Sequence, residues 1–347
     1  MKARALGRGE AALETLEGRI ACHDVRDAAG KLAVRKGQTL DADAARRLLS
    51  LPWTELHVLE LEPGDLHEEP AGARLSQAAA GDGVDVKGYS GGQWTLCAAR
   101  RGLLRVRIQA LHDVNAHAGM AVFTAWDLQP VEPGEVVARA KVTPLAIPDT
   151  AVKQAETASW DAGGLVAVKS FAPRTIGAAT RESLDERQRT RFEAALREKV
   201  DWFGSRLLPV RYTGGDAGAV AADLKALIAE GAEALVVAGA SALDPLDPVF
   251  LGIDRAGGRM VRHGVPAHPG SLLFLAKIGD RPVVGMPTCG MFSQATTFDL
   301  VLPRLLAGEP VDNAELAALG HGGLISQDSA YRFPAYRKSG VRGELAE

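Results

Sequence analysis

The chain has 347 residues, 46% of them hydrophobic and 24% charged, with a formal net charge of −3 at pH 7, which describes a globular protein of two or three domains. That charge argues against nucleic acid as a partner, since phosphate binding leaves a basic footprint, and no apolar run approaches the roughly 20 residues of a membrane span. Three cysteines, Cys22, Cys97 and Cys289, without paired spacing predict a reducing compartment, and with no secretory pattern at the start a cytoplasmic location is expected.

Residues 1–62 read as a small β-rich subdomain. Strands are expected around Leu32–Val34 and Leu56–Leu59, with a helical segment at Asp41–Ser50 for which Asp41 is the N-cap. Pro63, Gly64 and Asp65 mark a boundary. Residues 63–160 begin with a short helix at Arg74–Ala80. Strands follow at Val84–Tyr89, Trp94–Ala98, Leu103–Ile108, Ala121–Trp126 and Val136–Val142, and this close spacing predicts a β-sandwich or barrel-like domain. His112, Asp113, Asn115 and His117 either line a ligand surface or turn a loop between strands. Val152–Ala158 reads as a connecting helix.

From residue 161 to 312 the pattern changes. Leu165–Ser170 and Thr175–Ala179 are strand-like, and Glu186–Phe203 is a long helix whose Phe192, Leu196, Val200 and Phe203 fall on one face. A strand at Leu207–Tyr212, a helix at Ala217–Glu230 capped by Asp216, and a strand at Ala234–Val237 complete an alternation. Such alternation means parallel strands with helices on both faces. Further strands are expected at Val261–Val265, Leu272–Ala276 and Pro282–Met286, followed by a helix at Phe298–Leu306. Residues 313–347 form a C-terminal extension, with one short helix at Ala314–Leu319 and a charged end from Tyr331 that either docks on another subunit or is disordered.

In an open parallel sheet, ligands gather where strands end and loops lead into helices. Three loops are expected to meet there, 239–247, 266–271 and 287–294. Ala238–Asp244 reads AGASALD, at the spacing of the Gly-Gly-Val-Ser-Val-Gly-Asp that ends a strand in molybdopterin molybdenumtransferases. Pro269 and Gly270 fit that family's Pro-Gly, and Met286 with Pro287 fits the start of its Leu-Pro-Gly-Asn-Pro turn. On these residues the chain resembles the molybdopterin-binding superfamily, which also contains the molybdopterin adenylyltransferases. It departs at Ala238, where the family has glycine, at Ser271, where a lysine is common, and at Thr288, Cys289 and Gly290 in place of Gly-Asn-Pro.

The resemblance implies an α/β fold, a three-layer molybdopterin-binding domain with a mostly parallel sheet at 161–312, preceded by the β-rich N-terminal region. It implies a ligand, molybdopterin or the molybdenum cofactor, and a role in molybdenum cofactor biosynthesis. That role is either molybdenumtransferase or nucleotidyltransferase-like activity, or that of a non-catalytic carrier or maturation factor. The implied partners are a molybdoenzyme or a separate nucleotidyltransferase, and the implied assembly is a homo-oligomer. The ligand would be held by Gly239, Ser241, Pro269, Gly270, Ser271, Pro287, Thr288, Cys289, Gly290 and Ser293, of which Gly239, Ser241, Thr288, Gly290 and Ser293 are small loop-end residues that let backbone N–H groups approach a phosphate. Asp244 and Asp247 are candidate Mg²⁺ ligands and catalytic residues; either could instead cap the helix beginning near Pro248. Cys289 is either a soft metal ligand or a small residue tolerated in a loop, and His263 and His268 are structural or rim residues.

Overall fold

The computed structural model describes residues 1–292 and 295–336. The chain divides into two compact units, one of Met1–Arg100, Arg105–Ala125 and Pro133–Val168, the other of Arg101–Leu104, Trp126–Glu132 and the residues from Lys169 onward.

In the first unit, Asp41 accepts the Ala44 amide at 2.7 Å and starts the helix Ala42–Ser50, as its sequence position predicts. The strands Val84–Ser90, Gln93–Ala98, Val136–Val142 and Met120–Thr124 form one antiparallel sheet. The helix Glu68–Ala79 packs on it, with Gly72 against the Trp94 ring. The strand Gly102–Val106 pairs outside this sheet. Ile108–Asn115 is a helix, where sequence reading had a strand end and a loop. Leu111 and Val114 at i, i+3 supply its inward face, and Val114 is fully buried. Asn115 holds the Val122 backbone from both sides, donating at 2.9 Å and accepting at 2.7 Å, which is a structural role.

The second unit contains β1 (Thr175–Thr180), α1 (Glu186–Trp202), β2 (Arg206–Leu207), β3 (Arg211–Tyr212), α2 (Ala217–Ala229) and β4 (Ala234–Ala238). It continues with α3 (Pro248–Arg255), β5 (Gly258–His263), β6 (Phe274–Ile278), β7 (Arg281–Met286), α4 (Thr297–Leu306) and α5 (Asn313–Ala318). The expected strand 207–212 is two short pieces because Pro209 between them has no N–H to give a neighbour. One sheet runs β2–β1–β4–β7–β6–β5, with β3 also on β1. Its core pairings, β1 with β4 and β4 with β7, are parallel. β6 and β5 are antiparallel additions at one side. The fold is therefore mixed α/β with one largely parallel sheet.

Successive residues of a strand point to opposite faces, and β4 uses both. Ala234, Val236 and Ala238 pack with Phe192, Leu196 and Val200 of α1 and Phe298 and Val301 of α4. Leu235 and Val237 pack with Val220, Leu224 and Leu227 of α2 and Val249 and Ile253 of α3. Each such Leu, Phe or Val side chain contributes about 1.5–3 kcal/mol on leaving water, so both faces of the sheet are covered by helix. Among the described residues no helix is long and apolar enough to cross a membrane.

Candidate functional site

Strand direction decides which loops meet. β4 and β7 are parallel and end together, with Ala238 opposite Met286. β6 runs the other way, so its first residue lies at that same edge, and β5 reverses again so that His263 pairs Phe274. The loop joining β5 to β6 thus shares an edge with the loops leaving β4 and β7, although its two strands are antiparallel rather than members of a parallel run.

At this edge lies a pocket of about 210 Å³ lined by Ala240 from the first loop, His268, Gly270, Ser271 and Leu272 from the second, and Pro287, Thr288 and Cys289 from the third. Its inner wall is Phe274, Gly285 and Met286. The wall is apolar and buried, while Leu272, His268, Thr288 and Cys289 are exposed at the mouth. The lining contains no Asp, Glu, Lys or Arg. Gly285 is required by packing: a Cβ there would sit 2.2 Å from the Phe274 ring. Gly270, at φ +102, lies so close to α4 that a Cβ would fall 2.4 Å from the Thr297 hydroxyl. That hydroxyl donates to the Gly270 carbonyl at 2.6 Å, and the Thr297 amide donates to that of Pro269 at 3.0 Å.

The second loop is also fastened from outside. The His268 amide donates to the Gly323 carbonyl at 2.7 Å and the Ile325 amide to that of His268 at 2.9 Å. The third loop is a 3₁₀ turn, Thr288–Phe292, leading to α4 through a capping box in which Thr296 and Asp299 bind each other's backbone amides. Asp299 is fully buried. Its carboxylate takes the Thr296 amide at 2.8 Å, the Lys199 ammonium at 2.5 Å and the Tyr336 hydroxyl at 2.7 Å. Burial, then the Asp299 charge, hold the Tyr336 phenol well above its ordinary range.

Of the residues expected to hold a ligand, Gly270, Ser271, Pro287, Thr288 and Cys289 line the pocket. Pro269 and Gly290 are beside it as backbone supports, the latter through a turn bond of 2.8 Å from its amide to the Pro287 carbonyl. Gly239 and Ser241 are not in the lining. At φ +80, Gly239 meets another strand end: a Cβ would lie 2.7 Å from the Glu182 amide. Ser293 lies outside the described residues.

The two acids face elsewhere. Asp247 is 4% exposed and is the N-cap of α3. One carboxylate oxygen accepts the Val249 amide at 2.8 Å, the other the Ser241 amide at 3.0 Å, and Arg181 approaches both at 3.4 and 3.2 Å. Asp244 is exposed and accepts the Leu246 amide at 2.9 Å, closing an Asx turn. A two-carboxylate Mg²⁺ site does not fit this donor set, because Asp247 spends both oxygens on protein N–H groups. Among the described residues no group of three or more His, Cys, Asp or Glu is placed to hold a metal.

Partial desolvation, then the Asp299 charge, hold the Cys289 thiol above its ordinary value of 9.0, against the opposing pull of its own and the Gly290 amides and of Lys199. It is a neutral thiol near pH 7, poorly suited to binding a soft metal unaided.

Sequence reading missed Glu182. It follows β1, and its carboxylate receives the hydroxyl of the lining residue Thr288 at 3.4 Å. Only the parallel pairing of β1 with β4 brings it there, and no local pattern around residue 182 signals that pairing. The same holds for Phe274, which reads as an ordinary strand residue, while Met286 fitted the family's turn but was not among the residues expected to hold a ligand.

No protein-family model matches the chain, and no curated protein matches it. Among solved structures it is similar to a molybdopterin biosynthesis MoeA protein from Pyrococcus horikosii, at 12% identity over 88% of this chain and 75% of that one, with a TM-score of 0.29. A TM-score at that level is too low to carry a function from one chain to the other.

Proposed function

We propose that this protein binds molybdopterin or the molybdenum cofactor in the pocket between the loops after β4, β5 and β7, and acts in molybdenum cofactor biosynthesis. The observation that carries the reading is the meeting of these three loops around one small, apolar-walled pocket, at the positions where the chain resembles the molybdopterin-binding superfamily. An apolar cavity of about 150 Å³ takes one benzene ring, so about 210 Å³ suits a fused pterin ring rather than the whole molecule. With no Lys or Arg in the lining, the phosphate is expected to lie outside the apolar wall. Phe274 and Met286 offer the ring a face, and Ser271 and Thr288 offer its edge hydroxyl groups. The three-layer arrangement of the superfamily accords with helices covering both faces of the sheet.

A carrier or maturation role is favoured over catalysis by one specific observation: Asp247 is consumed as a cap and Asp244 lies outside the lining. Calorimetric titration of the intact chain with molybdopterin, with and without Mg²⁺, tests this. A carrier binds equally well in both, releases no product, and loses at least about tenfold in affinity, or 1.4 kcal/mol, when Ser271→Trp fills the mouth. Product formation that disappears in Asp244→Ala would make it an enzyme, and absence of binding removes both readings.

A further inference from the structure

After α5 the chain turns back toward the edge of the sheet where the pocket opens, and residues 321–336 meet two of its three loops in succession. The first meeting is with the loop between β5 and β6. There the His268 amide donates to the Gly323 carbonyl and the Ile325 amide to that of His268, a parallel bridge opposite Leu324. The two backbones are as close as glycine allows. A Cβ on Gly323 would lie 2.4 Å from the Pro266 carbonyl oxygen and 2.7 Å from that of Leu319.

The second meeting is behind the loop after β7. The Tyr336 hydroxyl donates at 2.7 Å to Asp299, the carboxylate that also takes the Thr296 amide where that loop enters α4. The Tyr336 ring lies edge-on to Trp202 and Phe203, with centroids 6.1 and 6.4 Å away. Both loops converge on this first turn of α4, because Thr297 beside it bonds the carbonyls of Gly270 and Pro269. We propose that residues 321–336 are a strap that governs the pocket: docked, it holds both loops in the arrangement that admits a ligand, and released, it loosens them together.

The strap has few ties of its own. Its core anchor is Phe333, fully buried in the cluster that contains Phe192 and Phe298. Between that anchor and His268 runs a single 3₁₀ turn, Gln327–Arg332, and Leu324 stands 89% exposed. A segment bonded this sparsely opens at less cost than a strand buried on both faces such as β4. Its opening and closing can therefore occur while the sheet stays folded. Ligand that binds only the closed arrangement must in turn favour the docked strap, by the same factor. This last step rests on the reading of the pocket as a molybdopterin site; the coupling of strap to loops does not.

Hydrogen exchange on the full chain, resolved for 321–336, the two loops and β4, tests this without ligand and then with molybdopterin. Phe333→Leu weakens the anchor and Tyr336→Phe removes one hydroxyl while keeping the ring. Each should speed exchange in the strap and in both loops about five- to tenfold, leaving β4 unchanged, and weaken molybdopterin by a similar factor. Molybdopterin should slow exchange of the strap in the unaltered protein. If Phe333→Leu also speeds β4, Tyr336→Phe decides. The proposal is overturned if the strap opens no faster than β4, if the variants speed the strap or one loop alone, or if bound molybdopterin leaves strap exchange unchanged. Should molybdopterin bind no form, the reading of the pocket falls, and the ligand-free exchange still decides the strap.

Discussion

The loops after β4 and β7 leave neighbouring parallel strands at one edge of one sheet, yet they spend their polar atoms in opposite directions. In 239–247 the acids are taken up by nearby backbone, buried Asp247 by the amides of Ser241 and Val249 and exposed Asp244 by that of Leu246. In 287–292 the loop carries no acid, its small residues face the pocket, and the anchoring charge lies behind it in the buried Lys199–Asp299 pair. A carboxylate in a site loop is thus as readily a backbone cap as a reagent. A loop of Pro, Thr, Cys and Gly can line a pocket because something else holds it.

If the support behind 287–292 is what makes that loop able to line a pocket, Asp299→Asn should have the largest effect. It strips a buried ammonium of its carboxylate and should cost about 3–5 kcal/mol, read by denaturant unfolding; a loss under about 1 kcal/mol, the scale of an exposed pair, would show that the pair is not a support. Asp247→Ala should cost less, about 2 kcal/mol for a cap with a charged partner. Its effect should appear in stability, with pterin affinity nearly unchanged. An affinity loss without a stability loss would return Asp247 to the ligand.

Much of the scaffold behind this comparison was legible. α1, α2 and β4 follow from apolar spacing and capping acids, because their faces are each buried against one layer and the pattern is local. The hairpin β5–β6 was harder: its strands were expected at 261–265 and 272–276 and lie at 258–263 and 274–278, since the apolar run continues through Val265 and Leu273 into the loop. The roles of Asp244 and Asp247 were left open between metal ligand and cap, because an aspartate beside proline reads alike for both. Glu182 and the Lys199–Asp299 pair were invisible for a different reason. Each joins residues about one hundred positions apart, and only tertiary pairing makes them neighbours.

Cys289, in the loop after β7, offers a chemical readout of its surroundings. Its raised thiol value means that the reactive thiolate is scarce at neutral pH and gains as pH climbs past the ordinary 9.0. Alkylation by iodoacetamide should therefore be slower at pH 7 than for a free thiol and still be accelerating above that value. A rate that levels off near neutrality would mark an activated thiolate and reopen the soft-ligand reading. The smallest effect is expected from Asp244→Ala: within about 0.5 kcal/mol in stability, as for other exposed sites, and with no change in pterin binding.

The most direct test is a crystal structure of the protein with molybdopterin bound. The pterin should lie against Phe274 and Met286, with its edge within hydrogen-bonding reach of Ser271 and Thr288 and its phosphate outside the apolar wall. Molybdopterin seated instead over Asp244 and Asp247, or on any surface apart from these three loops, would contradict the account.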